Sequence, residues 1–215
     1  SIDAVELNPQ MVELVRRDFA EFAGAIYEHP GARVHVAEAR NFVASTDRRF
    51  DLIQVALLDS FSAAAAGVFA LNESTLYTIE AFTAYLDHLA SGGLLAVTRW
   101  IKLPPRDALK LIATAADALT ARGVADAGQR IALIRGWKTS TLIVKNGALQ
   151  PADLVAIRSF AELRGFDLAW LPGMAEAEAN RFNRLHAPLF FLGARALLED
   201  GREGFMERYK FALAP

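Results

Sequence analysis

The sequence contains no cysteine, and only 8 of its 215 residues are proline. Without cysteine it can form neither a disulfide scaffold nor a thiolate metal site, which agrees with a reducing compartment. No uninterrupted apolar run reaches about 18 residues, so no membrane span is expected in this segment. A secretory signal pattern is also missing, because Asp3 and Glu6 stand where a basic region belongs. These absences favour a cytoplasmic location.

The composition that is present is typical of a globular domain. Hydrophobic residues make up 53% and the net charge is −2, which excludes a disordered chain. Residues 1–100 carry 7 Lys/Arg and 13 Asp/Glu, a net charge of −6, whereas residues 101–215 carry 16 and 12, a net charge of +4. The acidic first half favours a cationic small-molecule substrate over nucleic acid, although ordinary solvated faces explain the same asymmetry.

Apolar periodicity predicts strands that alternate with helices. Strands are predicted over residues 2–7, 33–38, 50–58, 94–100, 130–135, 141–145 and 168–171. Helices are predicted over residues 9–25, 39–45, 75–90, 105–122 and 151–164. The first begins after Asn8-Pro9, and the third is capped by Ser74 and ended by Gly92-Gly93. The third strand is nearly all apolar, which predicts burial on both faces. This order predicts an α/β fold with a doubly wound, mostly parallel sheet, an antiparallel edge pair and a helical C-terminal extension.

Acidic residues lie at the ends of the first three strands, where ligands bind in doubly wound sheets. Glu6 could accept hydrogen bonds from both hydroxyls of a ribose, or could simply be solvated. Glu38 could accept from an adenine amino group, with Ala39 leaving room for the ring, or could stabilise a helix N-terminus. Asp59 could cap a helix or bind a substrate. The four histidines show neither ligand spacing nor a hydrolase order, so no metal site is expected.

An ordered set of short motifs resembles the spermidine synthase-like (polyamine aminopropyltransferase) family, which has the Rossmann-like class I S-adenosylmethionine-dependent methyltransferase fold. The motifs are Val5-Glu6-Leu7-Asn8-Pro9, Glu38-Ala39-Arg40, Phe50-Asp51-Leu52-Ile53, Asp59-Ser60-Phe61, Leu76-Tyr77-Thr78 and Glu80-Ala81-Phe82. The resemblance covers residues 2–146, which implies a domain over residues 1–146. Residues 147–215 resemble the extension found in a bacterial subgroup, whose members are often fused to a multi-pass membrane segment. The resemblance thus adds the cytoplasmic domain of a membrane-linked parent as an alternative location.

The resemblance implies roles for individual residues. Glu6 and Asn8 would bind the ribose side of S-adenosylmethionine or its decarboxylated form, and Glu38 with Ala39 would face the adenine. Asp59 would be the catalytic carboxylate. Together with Ser60 and Tyr77, it would also bind the acceptor substrate, which in this family is a polyamine.

Two departures from the family pattern carry their own expectations. The family's Gly-rich loop precedes the segment that contains Val5, and no such turn occurs here, so the sequence resembles a fragment lacking that first motif. We therefore expect weak or absent cofactor binding. The family also has an Asp-x-x-Asp pair whose first member helps to deprotonate the amine, and Ala56 occupies that position. Loss of the base should slow aminopropyl transfer by about 100-fold or more.

Three functions therefore remain open. The first is a spermidine synthase-like transferase, and the second is a methyltransferase of the same fold, which needs no paired aspartates. The third is a non-catalytic interaction or regulatory domain of a membrane-linked parent.

The arrangement of the sheet carries one further expectation. In this fold another strand normally separates the strands over residues 2–7 and 50–58. Without that strand, we expect these two to pair directly. The alternative is a strand from another chain, which would make a homodimer.

Overall fold

The computed structural model describes residues 1–57, 75–199 and 201–214. These residues fall into two compact units, unit 1 (Ser1–Arg48) and unit 2 (Arg49–Pro215). Both units contain strands and helices in the alternating order that the sequence predicts.

Unit 1 is built on two parallel strands, β1 (Ile2–Glu6) and β2 (Ala32–Val36). Helix α1 (Pro9–Arg17) follows β1, and helix α2 (Ala39–Ala44) follows β2. The predicted helix over residues 9–25 is too long. Gly24 and Ala25 have left-handed φ values of 63° and 50°, which a right-handed helix cannot accommodate, and the chain after Arg17 forms turns instead.

A buried carboxylate joins the two strands of unit 1. The side chain of Asp3 is only 4% exposed. It accepts hydrogen bonds from Arg33 Nε at 3.0 Å and from Arg48 Nη1 at 2.7 Å, and it lies 2.9 Å from His35 Nε2. The hydrogen bond from Arg33, assisted by His35 and Arg48, holds the pKa of Asp3 well below its usual range despite its burial. The two strands are thus joined by side-chain charges as well as by their backbone ladder.

Unit 2 contains a five-stranded mixed sheet in the order β3-β4-β6-β5-β7. Its strands are β3 (Phe50–Val55), β4 (Leu89–Trp100), β5 (Ile131–Arg135), β6 (Thr139–Lys145) and β7 (Asp167–Trp170). β3 and β4 are parallel, and β5 and β6 form the predicted antiparallel pair. The antiparallel region is larger than this pair, because β6 also pairs with β4 and β5 also pairs with β7.

Five helices accompany the sheet of unit 2 among the described residues. They are α3 (Ile79–Asp87), α4 (Asp107–Ala121), α5 (Pro151–Arg164), α6 (Leu189–Leu198) and α7 (Arg202–Arg208). α4 and α6 cross closely at Gly193, where an added Cβ would lie 2.5 Å from Leu109 Cδ1. Leu109 is fully buried, so only glycine allows this approach without displacing core atoms.

Two boundaries near the centre of the chain differ from the sequence prediction. Helix α3 begins after Thr78, whose hydroxyl accepts the N–H of Ala81, whereas the predicted cap, Ser74, lies outside the described residues. Strand β4 begins at Leu89 and runs through the two glycines that were expected to end the helix. An added Cβ on Gly93 would lie 2.9 Å from the carbonyl oxygen of Phe50. The lack of a side chain at Gly93 therefore allows β3 and β4 to pair closely.

The two expectations about β3 are wrong. Its middle residue Leu52 is 52% exposed, so the strand is not buried on both faces. Among the described strands, β3 pairs with β4 and β1 pairs with β2, and no ladder joins residues 2–7 to residues 51–57. An apolar run thus does not distinguish an edge strand from a central one. The homodimer alternative stays a prediction.

A buried ion pair connects β5 to β7 in unit 2. Arg135 Nη2 lies 3.2 Å from Asp167 Oδ2, and the two side chains are 4% and 0% exposed. Asp167 also accepts the backbone N–H groups of Phe182 and Asn183, both at 2.8 Å. Arg135 donates to Asn180 Oδ1 at 2.9 Å and to the Asn183 carbonyl at 2.7 Å. The pair therefore also holds the loop over residues 180–183.

The surroundings of this pair determine its charge state. Burial acts to raise the pKa of Asp167, but the N–H groups of Phe182 and Asn183 and the charge of Arg135 outweigh it. The net result is a lowered pKa, which keeps the carboxylate ionised. Burial lowers the pKa of Arg135, although the charge of Asp167 opposes that shift.

Removing one partner of this pair should strongly destabilise the protein. We expect Asp167→Ala to lower the free energy of unfolding by about 3–5 kcal/mol, because Arg135 would be left as an uncompensated buried charge. The control is Glu162→Gln, which breaks an ion pair with Arg181 whose side chains are 57% and 50% exposed. Its expected cost is about 0–1 kcal/mol. Urea unfolding of both variants measures the difference, and equal losses would contradict the prediction.

The same pair gives a pH dependence. Because the folded-state pKa of Asp167 is lowered, its contribution is fully present above the unfolded value of about 3.9. It is lost as the pH falls further, through the folded value. The stability difference between the wild type and Asp167→Ala should therefore shrink on acidification below about pH 4.

The carboxylate of Glu38 caps helix α2. It accepts the backbone N–H of Arg40 at 3.1 Å and that of Asn41 at 2.7 Å. We expect Glu38→Ala to destabilise α2 by about 1 kcal/mol, whereas Glu38→Asp should retain the cap. Amide hydrogen exchange over residues 39–44 measures this, with the exposed Glu13→Ala in α1 as the control. Equal exchange rates in the Ala and Asp variants would show that the carboxylate does not stabilise the helix.

Candidate functional site

The two predicted cofactor carboxylates of unit 1 come from neighbouring strand ends. Glu6 is the last residue of β1 and pairs in register with Val36, the last residue of β2. The N–H of Ala37 donates to the Glu6 carbonyl at 3.1 Å, and Glu38 follows directly. Parallel pairing therefore brings Glu6 and Glu38 to the same edge of the two-stranded sheet.

Local backbone geometry orients the side chain of Glu6. Its Oε1 accepts the N–H of Asn8 at 2.8 Å, and Asn8 Oδ1 in turn accepts the N–H of Gln10 at 2.9 Å as the cap of α1. Glu6 Oε2 makes no hydrogen bond to any residue that the structure describes. Glu6 is thus held in place with one oxygen available, which suits a ligand hydroxyl.

Glu38 has a structural role in addition to the predicted one. Both of its oxygens accept backbone N–H groups at the start of α2, so the helix-terminus alternative is realised. Each carboxylate oxygen has a second acceptor position, so this role does not exclude an amino group as a further donor. Ala39 is the first residue of α2, and its side chain is a single methyl group.

The residues predicted to bind the acceptor follow Arg48 in the chain, within the range of unit 2. Val55 pairs with Val97, which places Ala56 just beyond β3 at the edge where β4 also ends. Ala56 is exposed and has no group that can take up a proton. The predicted catalytic residue Asp59 and its neighbour Ser60 lie outside the described residues.

Tyr77 makes an interaction that the sequence analysis missed. The guanidinium carbon of Arg99 lies 4.2 Å from the centroid of the half-buried Tyr77 ring, a cation–π geometry. Arg99 is the penultimate residue of β4, so a charged residue at a strand end was the available signal. Tyr77 directly precedes Thr78, the cap of α3, so the backbone next to Tyr77 is held by the start of that helix.

Within residues 1–57, 75–199 and 201–214, no three His, Cys, Asp or Glu side chains gather in a set that could hold a metal ion. Nor does any helix in these ranges have the length and apolar character needed to cross a membrane.

Comparison with known proteins agrees with the motifs. Residues 1–102 match the model of the spermine/spermidine synthase domain. Among solved structures, a probable spermidine synthase from Corynebacterium glutamicum ATCC 13032 is 21% identical, with a TM-score of 0.51, and the match covers 73% of this chain and 52% of that one. Comparison with curated proteins gave no match.

Two further spermidine synthase structures are similar at lower scores. One, in complex with the transition state analogue AdoDATO, is 17% identical with a TM-score of 0.47, and the match covers 74% of this chain and 49% of that one. The other, from Thermotoga maritima, is 18% identical with a TM-score of 0.46, and the match covers 74% and 50%. The chain thus spans about half the length of these solved relatives.

The domain match lies on the segment that carries the motifs. Both parallel strand pairs lie entirely within residues 1–102. The same range contains Glu6, Glu38, Ala56 and Tyr77. The similarity to the Corynebacterium structure supports the same fold. Residues 1–102, just under half of the chain, are thus similar to the spermine/spermidine synthase domain.

Proposed function

We propose that this chain is the core of a spermidine synthase-like transferase that uses an adenosylmethionine-type cofactor. The observation that carries the proposal is the parallel pairing of β1 and β2, which brings Glu6 and Glu38 to one edge of a sheet. Two carboxylates at neighbouring strand ends suit a ligand with a diol at one end and an exocyclic amino group at the other. Adenosine has both groups.

The residues of unit 1 fit the adenosyl part of such a cofactor. Glu6 offers Oε2 to a ribose hydroxyl while Asn8 holds Oε1, so the carboxylate needs no rearrangement on binding. Glu38 offers its remaining acceptor positions to the adenine amino group, beside the small side chain of Ala39. When bound, S-adenosylmethionine or its decarboxylated form supplies an electrophilic carbon next to a sulfonium.

The residue at position 56 limits which acceptor can react. A free amine has a pKa near 10 and is protonated at neutral pH, so it must lose a proton before it can attack. Ala56 cannot accept that proton. We therefore propose that the protein that contains this chain is a poor aminopropyltransferase toward putrescine. Ala56 equally favours a second candidate, methyl transfer to an acceptor that needs no paired aspartates.

The first test addresses cofactor binding. We expect the chain to bind S-adenosylmethionine with a Kd weaker than about 10 μM, within reach of NMR titration. Glu6→Gln should weaken binding by about tenfold or more, because it replaces a charge-assisted hydrogen bond with a neutral one. Glu13→Gln, on the exposed face of α1, is the matched control. Equal affinities for the wild type and Glu6→Gln would refute the role of Glu6.

The second test addresses the acceptor. In the full protein that contains this chain, we expect Ala56→Asp to raise spermidine formation from putrescine by about 100-fold, because it restores a base. Ala56→Asn has the same size without the basicity and should show no gain. Product formation is followed by chromatography. Robust spermidine synthesis by the unmodified protein would show that Ala56 does not limit the reaction.

The remaining expectations stay proposals. They are a cytoplasmic location, a boundary between residues 146 and 147, and a small-molecule acceptor of the polyamine class. A membrane-linked parent protein is a proposed alternative for the location, and a homodimer is a proposed alternative for the assembly.

A further inference from the structure

Three separate segments of unit 2 form one basic and apolar surface, which we call the basic–apolar patch. Its segments are residues 101–107, 136–138 and 209–211. Their contacts with one another bring them together: the N–H of Ile101 donates to the Lys138 carbonyl at 2.7 Å, and the Tyr209 hydroxyl donates to the Pro105 carbonyl. Phe211 lies 5.8 Å from the guanidinium of Arg106.

The patch consists almost entirely of cationic and apolar residues. Four of its residues are cationic, namely Lys102, Arg106, Lys138 and Lys210, and one, Asp107, is acidic. The other residues are aliphatic, aromatic, proline or glycine, so the patch has no side-chain amide and no aliphatic hydroxyl. The net charge of these segments is therefore +3, although the whole chain carries −2.

Two large apolar side chains project from this basic surface. Trp137 is 66% exposed at the tip of the β5–β6 hairpin, and Leu103 is 56% exposed in the segment after β4. The hairpin is tight, since the N–H of Gly136 donates to the Thr139 carbonyl at 2.8 Å. Lys102 directly precedes Leu103 and Lys138 directly follows Trp137, so each apolar residue has a cationic neighbour along the chain.

The cations are not neutralised within the patch. Asp107 is 17% exposed and lies 3.2 Å from Lys102 and 3.7 Å from Arg106, so a single carboxylate serves both. Lys210 lies over the ring of Phe211 at 5.6 Å, a contact that keeps its charge. The surface therefore complements a negatively charged partner.

We propose that the basic–apolar patch binds the surface of an anionic lipid bilayer. Trp and Leu side chains flanked by Lys and Arg are the pattern by which proteins enter the headgroup region, where the indole and the alkyl group leave water and the cations meet lipid phosphates. Leu103 gains nothing from base stacking but does gain from insertion between acyl chains.

The experiment measures binding of the purified chain to vesicles of phosphatidylcholine with 30% phosphatidylserine, by co-sedimentation. Lys102→Gln combined with Lys138→Gln should lower the partition coefficient by about 30-fold, and Trp137→Ala combined with Leu103→Ala by about tenfold or more. Binding should also fall with added salt and be weak on pure phosphatidylcholine. The matched control is Leu163→Ala with Arg164→Gln, an exposed apolar and cationic pair on α5, which should bind as the wild type does.

Each outcome decides the proposal. Loss of binding in both patch variants but not in the control supports it, provided that thermal unfolding shows the variants to be folded. No binding of the wild type to anionic vesicles overturns it, as does binding that the patch variants leave unchanged. If a single-stranded oligonucleotide binds through the same residues while vesicles do not, the lipid assignment is wrong and the patch is a nucleic-acid surface. The readout does not depend on transferase activity.

Discussion

The fold of unit 2 depends on the backbone ladder of β4. This strand runs for 12 residues, with β3 parallel to it on one side and β6 antiparallel on the other. The parallel side continues the alternating strand–helix order of a doubly wound sheet. The antiparallel side adds β6, β5 and β7, so a single strand joins the family-like part of the sheet to the part contributed by the C-terminal half. Leu95 and Val97, at its centre, are fully buried, as a strand with neighbours on both edges requires.

The close approaches around β4 show why glycine occurs where it does. Gly93 lets the β3 backbone reach the strand, and Gly193 lets α6 lie against Leu109 of α4. The space that a Cβ would need is taken by the Phe50 carbonyl oxygen at Gly93 and by the Leu109 side chain at Gly193. The glycines of this chain therefore mark packing contacts as well as turns.

The sequence was informative where a single local rule decides the structure. The Asn8-Pro9 start of α1, the extent of α5 and the β5–β6 pair follow from capping, proline position and alternation, and the structure contains each of them. It was less informative where packing between distant segments decides. The Gly92-Gly93 pair looked like a helix stop and is strand interior, and the apolar run from Phe50 looked central and lies at an edge.

The candidate site divides in the same way. Glu6 and Glu38 were predictable because a strand end fixes their place, whereas the contact between Arg99 and Tyr77 joins residues 22 positions apart and has no local pattern. The capping role of Glu38 was foreseen as an alternative, since one carboxylate can stabilise a helix and accept from a ligand. The Arg135–Asp167 pair escaped the sequence analysis altogether. Its partners are brought together by the pairing of β5 with β7.

That pair has a consequence for folding cooperativity. Arg135 belongs to the sheet core. Apart from the neighbouring Gly136 carbonyl, the polar partners of its side chain are Asp167, Asn180 and Asn183, which all come later in the chain. A sheet that forms before the segment from residue 167 onward has docked must carry a desolvated guanidinium without its counter-charge, which is unfavourable. Docking of the segment from residue 167 onward is therefore coupled to formation of the core around Arg135. Unit 2 should unfold in one transition. A chain shortened before residue 167 would lose the balance of charge inside the sheet, however complete its parallel strands were.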